Sequence, residues 1–217
     1  MSLPLYFVQD PSAPAAGLVA GCGWYCAPDG TLHAPRAQQT DALVLDDRNP
    51  LPEKFDALLS SLLIQAEALR CEVILLDFER SPSESAVRFA GALSQRYRTA
   101  APLPFCAENC EPVVCYRPSR QTFAEFLDLL VSRPCWAELR PVEETVSYPA
   151  DDPPSGTGEF FSDILQCRYR AAPGENALIL RLFDTPESFS RRFTQIEPHL
   201  TAAVALPEEL RTIDFSF

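Results

Sequence analysis

Val73-Ile74-Leu75-Leu76-Asp77-Phe78-Glu79 is an apolar run closed by two acids. It is too short to span a membrane, and its lack of polar alternation predicts a strand buried on both faces, as in a parallel sheet. Side chains alternate along a strand, so Val73, Leu75, Asp77 and Glu79 share one face while Ile74, Leu76 and Phe78 share the other. The two carboxylates therefore point the same way. Ser81-Pro82-Ser83-Glu84 follows, with a serine cap, a proline at the first helical position and a glutamate three after the cap, which predicts a helix start. Strand, acids, helix is an active-site layout for an α/β protein.

Upstream the arrangement recurs. Ala42 to Leu45 reads as a buried strand closed by Asp46-Asp47-Arg48. Pro52 then opens a helix whose Phe55, Leu58, Leu59, Leu62, Leu63, Ala66 and Leu69 form one stripe. Leu3 to Val8 is an earlier strand. Residues 11 to 40, with Gly21-Cys22-Gly23-Trp24-Tyr25 and Pro28-Asp29-Gly30, read as a hairpin or long loop.

Downstream, the helix after Glu79 turns Val87, Ala90, Leu93, Ser94 and Tyr97 inward. Leu103 to Ala107 is a short strand ending at Glu108, and Pro112 to Tyr116 follows too closely for a crossover helix. After Arg117, Thr122 and Glu125 form a capping box before Phe123, Phe126, Leu127, Leu130 and Val131. Trp136 to Leu139 carries Glu138 and ends at Arg140. Val142 to Tyr148 and Ile164 to Tyr169 alternate around a polar linker at residues 151 to 158, and a turn at 172 to 175 leads into Ala177 to Phe183. These predict an antiparallel insertion near residues 142 to 174. Asp184-Thr185-Pro186-Glu187 opens another helix, with Phe189, Phe193 and Ile196 inward, and Ala202 to Leu206 is a final strand.

Repeated strand-to-helix units require a mainly parallel sheet. The expected fold is α/β: a degenerate (β/α)8 TIM-like barrel, with helices missing after the first, fourth and sixth strands. One domain is expected over 1 to 217, interrupted by the antiparallel insertion. An open doubly wound sheet is the alternative, but no glycine-rich first loop supports it.

The chain has 217 residues, 47% of them hydrophobic, and a formal charge of -12. That charge argues against nucleic acid, whose phosphates need a surplus of Lys and Arg. No run of about 18 apolar residues marks a membrane span. Ala15 to Ala27 lacks the basic start of a signal peptide, so a cytoplasmic protein with reduced cysteines is expected. The cysteine spacings do not match the usual zinc patterns, and there are only two histidines, His33 and His199. Neither a metal nor a cofactor is expected, since no P-loop or dinucleotide fingerprint is present.

In a barrel the reactive side chains sit at the C-terminal ends of strands. Here those positions hold Asp46, Asp47, Asp77, Glu79, Glu108, Tyr116, Arg117, Glu138, Arg140 and Asp184, with Tyr169 on the insertion. Each has an ordinary alternative: Asp184 suits a helix cap, Asp46 and Asp47 suit Arg48, and the arginines can neutralise neighbours. Asp77 with Glu79 stands above the rest. Two acids on one inner face repel, and the repulsion raises one pKa toward the range of a general acid.

Glu72-Val73-Ile74-Leu75-Leu76-Asp77-Phe78-Glu79 resembles a reduced form of the Asp-Gly-x-Asp-x-Asp-x-Glu strand of the chitinase-like family-18 glycosidases, which are (β/α)8 barrels. The last two acids match; Glu72, Val73 and Leu75 depart from it. The resemblance implies a glycoside hydrolase in which Glu79 is the acid/base and Asp77 orients a substrate N-acetyl group, itself the nucleophile. Tyr116 or Tyr169 would assist. The remaining strand-end residues would bind a carbohydrate or another small polar ligand. The alternative is a non-catalytic barrel that binds a ligand at the same rim, or docks a protein through exposed aromatics among Trp24, Tyr25, Phe160 and Phe161.

Overall fold

The structure is a computed structural model that describes residues 3–10, 17–36, 39–151 and 158–213. Parts of the expected loop at 11 to 40 and most of the expected linker at 151 to 158 lie outside the described residues. In chain order the elements are β1 (Leu5–Gln9), β2 (Leu18–Cys26), β3 (Leu32–His33), β4 (Ala42–Asp46), α1 (Asp56–Leu69), β5 (Val73–Asp77), α2 (Glu84–Ser94) and β6 (Thr99–Pro102). A 3-10 turn at Leu103–Phe105 precedes β7 (Glu111–Cys115), α3 (Phe123–Ser132) and β8 (Cys135–Glu138). Then come β9 (Glu143–Pro149), β10 (Glu159–Ser162), β11 (Cys167–Gly174), β12 (Ala177–Phe183), α4 (Pro186–Ile196), a second 3-10 turn, β13 (Leu200–Ala205) and α5 (Pro207–Arg211).

The chain divides into two compact units. The first comprises Met1–Val114, Pro134–Glu138 and Thr201–Pro207; the second comprises Cys115–Arg133, Leu139–Leu200 and Glu208–Phe217.

The first unit is a closed barrel. Its strands run in the order β1, β2, β4, β5, β6, β7, β8, β13, and β1 closes the ring by pairing in parallel with both β13 and β2. β5 is the fourth strand of this ring, with every residue from Val73 to Asp77 matched in parallel register to Ala42 through Asp46. Alternation separates two cores. Tyr6, Ala20, Ala42, Val44, Val73, Leu75, Ala100, Trp136, Ala202 and Val204 form the inner one. Four alanines make room there for the stacked rings of Tyr6 and Trp136, 5.1 Å apart. On the outer face Leu43, Leu45, Ile74 and Leu76 pack against Leu58, Leu62 and Ala66 of α1 and Phe89, Ala90 and Leu93 of α2. Each large apolar side chain buried in this way contributes roughly 1.5–3 kcal/mol.

The barrel class is as expected, but two of its strands are not the expected ones. β2 is a barrel strand within the stretch read as a hairpin or loop, and β6 precedes the stretch at Leu103 to Ala107, which begins as a 3-10 turn. Ala177 to Phe183 lies wholly in the antiparallel sheet, which therefore extends beyond residue 174. Helix α2 starts two residues late: Ser83, not Ser81, is the cap, its Oγ accepting from Ala86 N at 3.2 Å.

The second unit is an antiparallel sheet in the order β10-β11-β12-β9, with α3, α4 and α5. Both expected helix starts are present here. Thr122 and Glu125 close a reciprocal capping box, and Thr185 caps α4 with Pro186 in its first turn.

Candidate functional site at the mouth of the barrel

The inner-face parity that places Val73 and Leu75 in the core carries Asp77 to the C-terminal mouth, and the same parity carries Asp46 there from β4. Asp46 and Asp77 are register partners, so their backbones lie roughly 4.8 Å apart. Glu138 ends β8 in the same way after buried Trp136.

Asp77 is exposed at this mouth. The strand ends crowded around its carboxyl still take part of its water away, and that desolvation, followed by the charges of Glu79, Glu138, Asp46 and Asp47, pushes it from the ordinary 3.8 up to about 6. Four neighbouring carboxylates thus all oppose its ionisation.

Asp47 has a different task. It is buried and clamps the turn after β5, accepting from Glu79 N at 3.1 Å and Arg80 N at 2.9 Å. Arg80 returns two bonds, to the carbonyl oxygens of Asp47 at 2.6 Å and Arg48 at 2.5 Å. The backbone that presents Glu79 is therefore fixed from both sides. The Glu79 side chain itself is exposed, and no described residue donates a hydrogen bond to its carboxylate.

Sequence reasoning named Tyr25 only as a docking aromatic and missed its place at the barrel mouth. A bulge between Gly21 and Trp24, with Gly23 at φ 103°, shifts the parity of β2. Trp24 thereby joins the outer core and Tyr25 pairs in register with Asp46. Tyr25 stacks on His33 at 4.3 Å and lies 4.1 Å beneath the Arg48 guanidinium. Arg48 also grips Asp46 through two bonds of 2.8 and 2.6 Å. Cys22 lies close by, its thiol pushed up by burial and by the charges of Asp10 and Asp46. A β2 assignment would have exposed this group, but two glycines hid the strand.

The other expected site residues lie elsewhere. Glu108 sits in the turn that leads into the start of β7, whereas it was expected at the C-terminal end of a strand. Tyr116, Arg117, Arg140, Tyr169 and Asp184 belong to the second unit. There Tyr116 is buried, its hydroxyl donating to Leu165 O at 2.7 Å, so it is committed to packing. The Asp184 side chain is fully buried and saturated, accepting from Arg192 at 2.8 and 2.5 Å, Ser188 Oγ at 2.8 Å and Val142 N at 2.7 Å. Tyr169 lies beside Phe160, and Arg140 is 3.5 Å from Glu209. Trp24 is wholly buried and offers no docking surface. Among the described residues, no three His, Cys, Asp or Glu side chains are grouped to hold a metal ion, and no helix is long and apolar enough to cross a membrane.

The fold is a closed, mainly parallel (β/α)8-like barrel with carboxylates at its C-terminal mouth. Several solved structures share its architecture. The spore cortex-lytic enzyme SleL of Bacillus cereus matches with a TM-score of 0.60 and 13% identity, over 98% of this chain and 74% of that one. The class V chitinase of Nicotiana tobaccum matches with 0.54 and 8%, over 94% and 93%. The chitinase-like agglutinin of Robinia pseudoacacia matches with 0.54 and 10%, over 92% and 93%. At such identities the likeness is one of fold. No protein-family model and no curated protein sequence matches the chain.

Proposed function

We propose that this chain acts on a carbohydrate bound at the mouth of its barrel, with Glu79 as general acid/base and Asp77 as its partner. The observation that carries the reading is the position of Asp77 beside Glu79, its carboxyl pushed up to about 6 by burial and by the acids around it. A carboxyl that keeps its proton up to about pH 6 can hydrogen-bond below that as a donor to a substrate amide or to Glu79. Glu79 protonates the leaving glycosidic oxygen as the bond to the anomeric carbon breaks. The substrate N-acetyl oxygen, oriented by Asp77, forms the new bond to that carbon. Water, deprotonated by Glu79, then releases the sugar. The tobacco chitinase, a variant of which was solved in complex with NAG4, makes an N-acetylglucosamine oligomer the first substrate to test. Asp46, Asp47 and Glu138 would line or brace the site.

A second reading, a sugar-binding barrel without turnover, draws support from two observations. Leu75 occupies the inner-core position where the glycosidase pattern has an acid, and one protein of like fold is an agglutinin.

Aryl N-acetylglucosaminides assayed with the wild type and Glu79→Gln separate the two. The enzymatic reading expects a loss of about 10²–10⁴-fold in Glu79→Gln. Equal rates in both proteins remove Glu79 from the mechanism. Saturable binding of a chito-oligosaccharide without hydrolysis assigns the lectin-like reading.

A further inference from the structure

A cavity of about 380 Å³ lies wholly inside the second unit, on one face of the antiparallel sheet and beside the residues that follow β13. Three guanidiniums line it: Arg140, Arg170 and Arg181. Arg170 and Arg181 are direct register partners on β11 and β12, and like charges directly opposite one another destabilise a strand pair. Glu159 beside Arg170 and Glu143 beside Arg181 offset that repulsion only in part.

The carboxylates nearby do not saturate these groups. Arg140 Nε stands 3.5 Å from Glu209, longer than a charge-assisted hydrogen bond. Arg181 touches Glu143 with one nitrogen at 3.2 Å, both side chains being mostly exposed. Arg170 bonds to Glu159, which also holds Arg168, and its guanidinium lies 5.2 Å from the centre of the Phe183 ring. Asp184, at the cavity wall, is neutralised by buried Arg192. Each guanidinium has five donors in a planar fork, so several N–H groups remain to be spent. Phe183, Val142 and Ile213 supply apolar surface in the same cavity. With Asp184 neutralised, the lining holds three guanidiniums against the two carboxylates Glu143 and Glu209, in a chain whose formal charge is -12.

From this arrangement we infer that the cavity binds a small organic anion, its carboxylate or phosphate held by Arg140 and Arg181 and its body resting on Phe183. The volume suits a ligand of about sugar-ring size. None of the barrel-mouth carboxylates is among its lining residues, and the inference does not depend on their role.

Calorimetric titration of the full chain with glucuronate, glucose 6-phosphate and glucose tests the inference, because the three share a ring and differ in charge. Saturable binding of an anionic sugar is expected, with glucose at least tenfold weaker; whichever of the two acids binds more tightly names the head group. Arg140→Gln and Arg181→Gln should each weaken binding at least tenfold with an unchanged circular dichroism spectrum, and Glu79→Gln should leave it as in the wild type. The inference fails if neither anion binds, if glucose binds as well as the anions, or if both arginine variants keep wild-type affinity.

Discussion

Glu111 at one end of the barrel and Asp77 at the other are acids in opposite circumstances. At the N-terminal end Glu111 accepts from Arg98 at 2.6 and 3.1 Å, from Trp136 Nε1 at 2.7 Å and from Thr201 at 3.2 Å. Burial alone would raise its pKa, but the bonds from Arg98, Trp136 and Thr201 outweigh it and hold the carboxyl below its ordinary value. Glu72 at the same end accepts from Tyr6, whose hydroxyl is pushed up to about 12 by burial and then by that bond. At the C-terminal end Asp77 has burial and four neighbouring acids against it. A satisfied charge suits a stabilising role, whereas a charge under stress supports the proposed chemical one, in line with the division of labour between the two ends of such barrels.

Asp184 sharpens the contrast because it resembles Asp77 in sequence, an acid closing a strand before a proline-containing helix start. In the structure it is of the first kind, its partner Arg192 being 4% exposed and itself 0%. Removing one member of a buried pair strands the other, so Arg192→Met should cost about 3–5 kcal/mol. Urea unfolding measures it, and a loss below about 1 kcal/mol would put Asp184 back among the candidate site residues. Next in size, Glu111→Ala leaves the Trp136 indole N–H without a partner in a fully buried site. The expected cost is about 2–3 kcal/mol.

The sequence allowed the barrel to be inferred from β4, β5 and their helices, where β-branched and leucine-rich strands meet stripes of 3.6-residue period. It concealed β2 and β6 for one physical reason. Both carry small residues, Ala20 and Gly21 in one and Ala100 and Ala101 in the other. Ala20 and Ala100 are small in the inner core that holds Trp136 and Tyr6. A strand selected for lack of volume has no strand-like signature. The site was half legible on the same grounds: parity along β5 located Asp77, whereas the bulge that brings Tyr25 to Asp46 reverses parity and defeats a simple count. No spacing rule pairs Asp184 with Arg192 across the start of a helix.

The last effect, reduced by solvent screening because Asp77 is exposed, separates the two barrel ends most directly, because its sign differs between them. The carboxyl of Asp77 is raised from 3.8 to about 6 on folding. Between those values the folded protein holds a proton that the unfolded chain has released, so stability falls as the pH rises from about 4 to about 6, and the loss is complete above that. Asp77→Asn carries no charge to penalise. It should therefore unfold at a higher temperature than the wild type at pH 7, while the two should coincide near pH 4. Glu111 runs the other way. Its folded pKa lies below the ordinary 4.5, so its stabilisation is fully present above that value and is lost as the pH falls through the lowered one. Melting temperatures of the wild type, Asp77→Asn and Glu111→Gln across pH 3 to 8 check both signs together. A wild type that matches Asp77→Asn throughout would mean that Asp77 is not under strain, and the contrast between the two ends would lose its chemical half.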